Sequence, residues 1–179
     1  MPRGWSCFVL LALSAGSALA QTAAERRAGF IECGTAQIRA LAQCYGKSDY
    51  CATETLSFSR RAGRTIVPVH AHSARFEVPG GKAQALAYGA TSWACVPGVN
   101  GGHYLVVVMS RANRGACSDC EYSRLYDLYG RLIATDLGFS ARGEPLASTS
   151  GPEMMRKLLG GPGPHPFTSV YPKSGSVPH

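Results

Sequence analysis

Six cysteines follow the first twenty residues: Cys33, Cys44, Cys51, Cys95, Cys117 and Cys120. Thiols at these spacings point to three chemistries: redox exchange, zinc binding or covalent stapling. The tightest pair is the C-x-x-C of Cys117-Ser118-Asp119-Cys120. A redox pair of this form needs a lowered thiol pKa, supplied most often by a helix N-terminus. Here the motif lies between strand patterns, with Asp119 inside it and Glu121 beside it, and neighbouring carboxylates disfavour a thiolate. A zinc site would have to add Cys95 and His103 to the pair. An even cysteine count in an exported chain of this size reads instead as a disulfide framework. Connectivity is not fixed by counting. Cys44 and Cys51 flank Gly46 and suit a small ring, Cys117 and Cys120 suit a tight turn, and Cys33 is left for Cys95. On a continuous helix Cys33 and Cys44 would stand about 16 Å apart along the axis, beyond the roughly 7 Å that a disulfide spans between Cα atoms.

His70-Ala71-His72 places two imidazoles on one face of a strand, a geometry that metal sites use. A third ligand would have to come from afar, from His103 or Glu54. The pair is therefore expected to be solvated surface, with no metal bound. The sequence contains no G-x-S-x-G, H-E-x-x-H, P-loop or dinucleotide fingerprint. Glu54, Glu77 and Asp127 are the strand carboxylates available for glycoside cleavage, and each is expected as a surface charge. The expectation is a protein with no catalytic residue and no cofactor.

The elements that must position these residues begin after a targeting segment. Arg3, an apolar run from Cys7 to Leu13 and the small-residue site Ala18-Leu19-Ala20 form a signal-peptide pattern over residues 1–20. The apolar run is far short of the roughly 20 residues of a membrane span. Cleavage near Ala20 predicts a periplasmic or secreted chain beginning at Gln21. The whole sequence carries 18 basic and 11 acidic residues; without Arg3 the balance is 17 against 11, or +6. Outside the cytoplasm such a field favours anionic envelope polymers or an acidic protein partner over nucleic acid.

Thr22 and Glu25 form a capping-box pattern, and Ala28, Ile31, Ile38, Leu41 and Ala42 recur at roughly helical spacing. This predicts an amphipathic helix to about Cys44, weakened at Gly29 and Gly34. From Ala52 the period changes to two, with Leu56 and Phe58 opposite Thr55, Ser57 and Ser59. The basic loop Arg60–Arg64 leads to a strand whose Pro68 belongs at a sheet edge or bulge. Residues Ala83 to Cys95 form a further strand pattern. The stretch His103–Phe139 supplies three consecutive antiparallel strands, of which HYLVVVMS is too apolar to own a wet face. Pro152 opens a short helix to Leu159, ended by Gly160-Gly161. The expected fold class is α+β: an N-terminal helix packed on an antiparallel sheet of about five to seven strands, with disulfide staples. One domain is expected over residues 21–160, followed by a flexible Pro/Gly/Ser-rich tail over 161–179.

This layout resembles that of periplasmic inhibitors and immunity proteins, which block envelope-acting enzymes or toxins by inserting a rigid loop. The expected partner-binding loop is Arg111–Glu121, with Arg111, Arg114, Asp119 and Glu121 making directional contacts and Tyr122 as an aromatic anchor. Arg60–Arg64 is the second candidate. The alternatives are an exported metal-binding protein using His70 and His72, and an envelope hydrolase of unrecognised type.

Overall fold

Ala36, Ile38, Ala40, Ala42 and Cys44 alternate with Gln37, Arg39 and Gln43, and the chain obeys that period of two. The computed structural model describes residues 24–46, 48, 50–69, 73–112, 120–139, 145–147, 150–160 and 166–172. In place of the expected N-terminal helix it holds a hairpin of β1 (Ala24–Cys33) and β2 (Ala36–Tyr45). Their register runs from Cys33↔Ala36 to Ala24↔Tyr45. Gly34, at φ 56°, occupies the first position of the two-residue connection, where a side chain would be strained. The even residues of β2 are buried, Gln37, Arg39, Leu41 and Gln43 are exposed, and Tyr45 is half-buried. The α+β expectation with a leading helix is thus overturned. Ala, Leu, Gln and Arg are good helix formers, but burial of one alternating face outweighs propensity.

The hairpin continues into β3 (Cys51–Arg60) and β4 (Gly63–Pro68), giving a four-stranded antiparallel sheet in the order β1-β2-β3-β4. Pro68 ends the edge strand, where its missing N–H leaves no ladder bond unmade. A separate hairpin pairs β5 (Ser73–Val78) with β6 (Gly81–Leu86). Next come β7 (Tyr88–Pro97), β8 (His103–Arg111), β9 (Glu121–Asp127) and β10 (Leu132–Thr135). The short strands β11 (Leu137–Phe139) and β12 (Pro145–Ala147) pair with each other. Helix α1 (Gly151–Leu159) and strand β13 (Thr168–Ser169) are the last elements among the described residues, and the second sheet has the order β10-β9-β8-β7-β13.

The two larger sheets pack face to face. Ile38 and Ala40 of β2 and Leu56 and Phe58 of β3 share one core with Trp93, Leu105, Val107, Met109 and Tyr126 of the second sheet. The apolar strand β8 is covered on both sides, as its composition demands. Its odd residues face the first sheet, while Val106 joins Ala94, Val96, Leu125 and Ala134 beneath Met155, Leu158 and Leu159 of α1. The helix has Pro152 in its first turn and ends at Gly160, at φ 75°.

Cys33–Cys95 and Cys44–Cys51 are disulfides, with Cα separations of 5.2 and 3.7 Å. The first ties the leading hairpin to the second sheet. Cys120 is also disulfide-bonded, to a partner outside the described residues. These bonds fit an oxidising compartment. Among the described residues no helix is long and apolar enough to cross a membrane.

A further correction concerns the expected loose tail. Within it, Thr168 and Ser169 pair with Trp93 and Ser92, and the Val170 N–H donates to the Thr91 carbonyl at 2.9 Å. Val170 is fully buried in the main core. This strap crosses β1 at Gly29, where a Cβ would stand 1.7 Å from the Val170 carbonyl oxygen. Gly29→Ala is therefore expected to lift the strap from the sheet. Denaturant unfolding should show a loss of about 1–3 kcal/mol, the usual range for a forced overpacking. Unchanged stability would mean that the strap contributes nothing to the fold.

Candidate functional site

Beyond Leu56 and Phe58 on the inward face of β3, two residues nearer the strand start, sits Glu54. Period-two alternation puts it at the margin of the core, and it is only 4% exposed. Its Oε2 accepts the Ala90 N–H at 2.9 Å, and its Oε1 accepts the hydroxyl of Tyr171 from the strap. Burial pushes the Glu54 carboxyl up to about 7, against the opposing pull of those two bonds and of the Arg124 charge. Tyr171 is raised as well, by its own burial and then by Glu54. The result is a clamp between β3, β7 and the strap, and not the surface charge expected at this position.

The clamp forms one wall of a cleft of about 360 Å³ at this end of the sandwich, with Arg27, Thr91, Ser110 and Arg111 among its lining. Thr91 Oγ1 lies 2.9 Å from Ser110 Oγ, which in turn donates to Glu121 Oε1 at 2.9 Å. Arg27 Nη2 donates to the Ser48 carbonyl at 2.9 Å, fixing it at the rim. At the other end of the sandwich, the Arg60 guanidinium lies 3.7 Å over the Tyr129 ring, beside a wider depression of about 820 Å³. No buried carboxyl lines that depression, so the Glu54 cleft is the chemically richer of the two.

The described start of the expected binding loop, Arg111 and Ala112, lines the Glu54 cleft. Arg111 is exposed, and its backbone N–H donates to the Cys120 carbonyl at 2.7 Å. Ser110 and Glu121 are register partners, so β8 and β9 stay paired up to the loop. Glu121 is exposed but tied to Ser110. Arg114 and Asp119 lie outside the described residues, as do Cys117, His70 and His72. Tyr122, expected as an anchor for a partner, is instead core: it is 3% exposed and packs edge-on against Tyr88 at 5.1 Å. Burial pushes its hydroxyl up to about 12. The zinc set is also dissolved, because Cys95 and Cys120 are already in disulfides.

No family model, no curated protein and no solved structure matches the chain. Sequence reasoning missed the Glu54–Tyr171 clamp. Its one legible signal was parity, since Glu54 falls in step with Leu56 and Phe58. Nothing in the sequence pointed to Tyr171.

Proposed function

We propose that this chain is an exported binding protein of the inhibitor or immunity type, which blocks an envelope-acting enzyme or toxin. The partner meets the end of the sandwich where β8 ends and β9 begins, beside the Glu54 cleft. The observation carrying this reading is the fixed base of the loop between them. Arg111 and Cys120 close it by a 2.7 Å backbone bond, Cys120 is held in a disulfide, and the Arg111 side chain is left exposed. A loop whose ends cannot move loses little entropy on binding, which favours insertion into a cleft.

A non-enzymatic role fits the chemistry of Glu54. A buried carboxyl near neutrality suits acid–base catalysis, but both its oxygens already accept protein hydrogen bonds, and its Tyr171 partner belongs to the strap. Its work is structural, and the exposed Arg111 is the group offered to a partner.

The test is inhibition of a panel of purified cell-wall hydrolases, including a muramidase and an amidase, by the purified protein and by Arg111→Ala. One enzyme is expected to be inhibited. The variant should weaken that complex by about 2–5 kcal/mol, mainly through faster dissociation. Inhibition unaffected by the substitution places the interface elsewhere, and no inhibition of any panel member counts against the inhibitor reading.

A further inference from the structure

The outward face of the four-stranded sheet carries a trough built by side-chain size. Along β3 the outward residues are Thr53, Thr55, Ser57 and Ser59, a floor of short hydroxyl side chains. Longer residues stand on both flanking strands. The register aligns Arg39 of β2 and Ile66 of β4 with Ser57, and Gln37 and Arg64 with Ser59. At this end the trough deepens into a pocket of about 190 Å³ lined by Phe30, Gln37, Arg39, Ser57, Ser59 and Arg64. Arg64 Nε donates to Ser57 Oγ at 2.6 Å, which lays the side chain back along the floor into the row of Arg39. Two guanidinium groups thus share one small pocket, and among the described residues neither meets a carboxylate. Glu32 is the one acidic residue among the outward positions of this sheet, and it stands on β1, with β2 between it and the floor. Phe30, 53% exposed, presents its ring beside Arg39.

We propose that this trough binds a carboxylated polysaccharide. Paired guanidinium forks match the geometry of a carboxylate, the floor hydroxyls and Gln37 match sugar hydroxyls, and the exposed Phe30 ring offers a face against which a pyranose can lie. The extended floor suits a chain laid along β3. The concave shape disfavours a flat anionic bilayer, which would touch only the walls. This surface lies on the back of the sheet, apart from the Glu54 cleft, so the two sites are testable separately.

The probe is a hexamer of galacturonic acid, titrated calorimetrically into the purified full chain at low and high ionic strength, with its methyl ester as the uncharged control. The acid is expected to bind, more weakly as salt rises, and the ester to bind at least about tenfold less well. Arg39→Ala with Arg64→Ala should lower affinity by at least about tenfold. Arg156→Ala with Lys157→Ala removes two exposed charges from α1 and should leave it unchanged. Where loss of the Arg64–Ser57 bond disturbs folding, Arg39→Gln alone tests the same pocket and should weaken binding in the same direction. Equal binding of the ester overturns the proposal. So does equal loss in the α1 variant, or binding of anionic phospholipid vesicles in preference to the hexamer.

Discussion

Replacing Cys33 and Cys95 together by alanine is expected to destabilise the protein by about 4 kcal/mol. The bond closes a ring over a sequence separation of 62 residues. In the chain-entropy account, a longer ring removes more freedom from the unfolded chain. This bond also has a structural role that ring length does not measure. Cys33 is fully buried at the end of β1, in the same core as Trp93 and Leu105, so it fixes the first sheet against the second. The Cys44–Cys51 bond spans a separation of only 7 residues within one sheet. Its loss is expected to cost about 2.5 kcal/mol. Urea denaturation of the two double variants measures both values. Equal losses would show that the bridge between sheets has no special weight.

The second large effect is a dependence on pH that runs opposite to ordinary acid denaturation. Glu54 has a folded-state pKa of about 7, raised from 4.5. A carboxyl so raised binds its proton more tightly in the folded chain than in the unfolded one. Its contribution is therefore most favourable below the unfolded value and is lost as pH rises from 4.5 to about 7. Each tenfold difference in proton affinity between the folded and unfolded chains is worth about 1.4 kcal/mol, so the loss across this window is about 3 kcal/mol. Glu54→Gln keeps an acceptor for the Ala90 N–H and removes the titration. The stability difference between wild type and this variant should change by about 3 kcal/mol across the window, with the wild type losing relative stability as pH rises. A difference independent of pH would mean that Glu54 is ionised in the folded protein. Tyr171→Phe removes a bond that lowers the Glu54 pKa and should move the window upward.

The second sheet was readable because its signals were unambiguous. An unbroken apolar run in β8 has to be covered on both sides, and Pro152 and Gly160 mark a short helix in any context. The first hairpin was misread because Phe30 and Leu41 are exposed, at 53% and 43%, which breaks the alternation just where it would have identified a strand. Apart from Leu41 the apolar–polar pattern of β2 is strict over Ala36–Cys44, and with Phe30 set on the outward face of β1, Gly34 becomes a turn rather than a flaw in a helix. The exposure of Arg111 at the end of β8 was legible, because an arginine at a strand end depends only on local pattern. Tyr122 was misplaced because anchoring and core-filling tyrosines look alike in sequence, and only the opposing sheet distinguishes them. The Glu54–Tyr171 bond joins residues 117 positions apart. It depends on the strap folding back along β7, and no local period encodes that path.

The central claim, that a partner engages the β8–β9 end of the sandwich, is tested most directly by site-specific photocrosslinking in intact cells. A photoreactive amino acid is placed at position 112, which lines the same cleft beside Arg111 and leaves that arginine in place, and, as the control, at exposed position 154 on α1. One discrete, light-dependent adduct with an envelope protein is expected from position 112 and none from position 154. No adduct from position 112, or the same adducts from both positions, would contradict it.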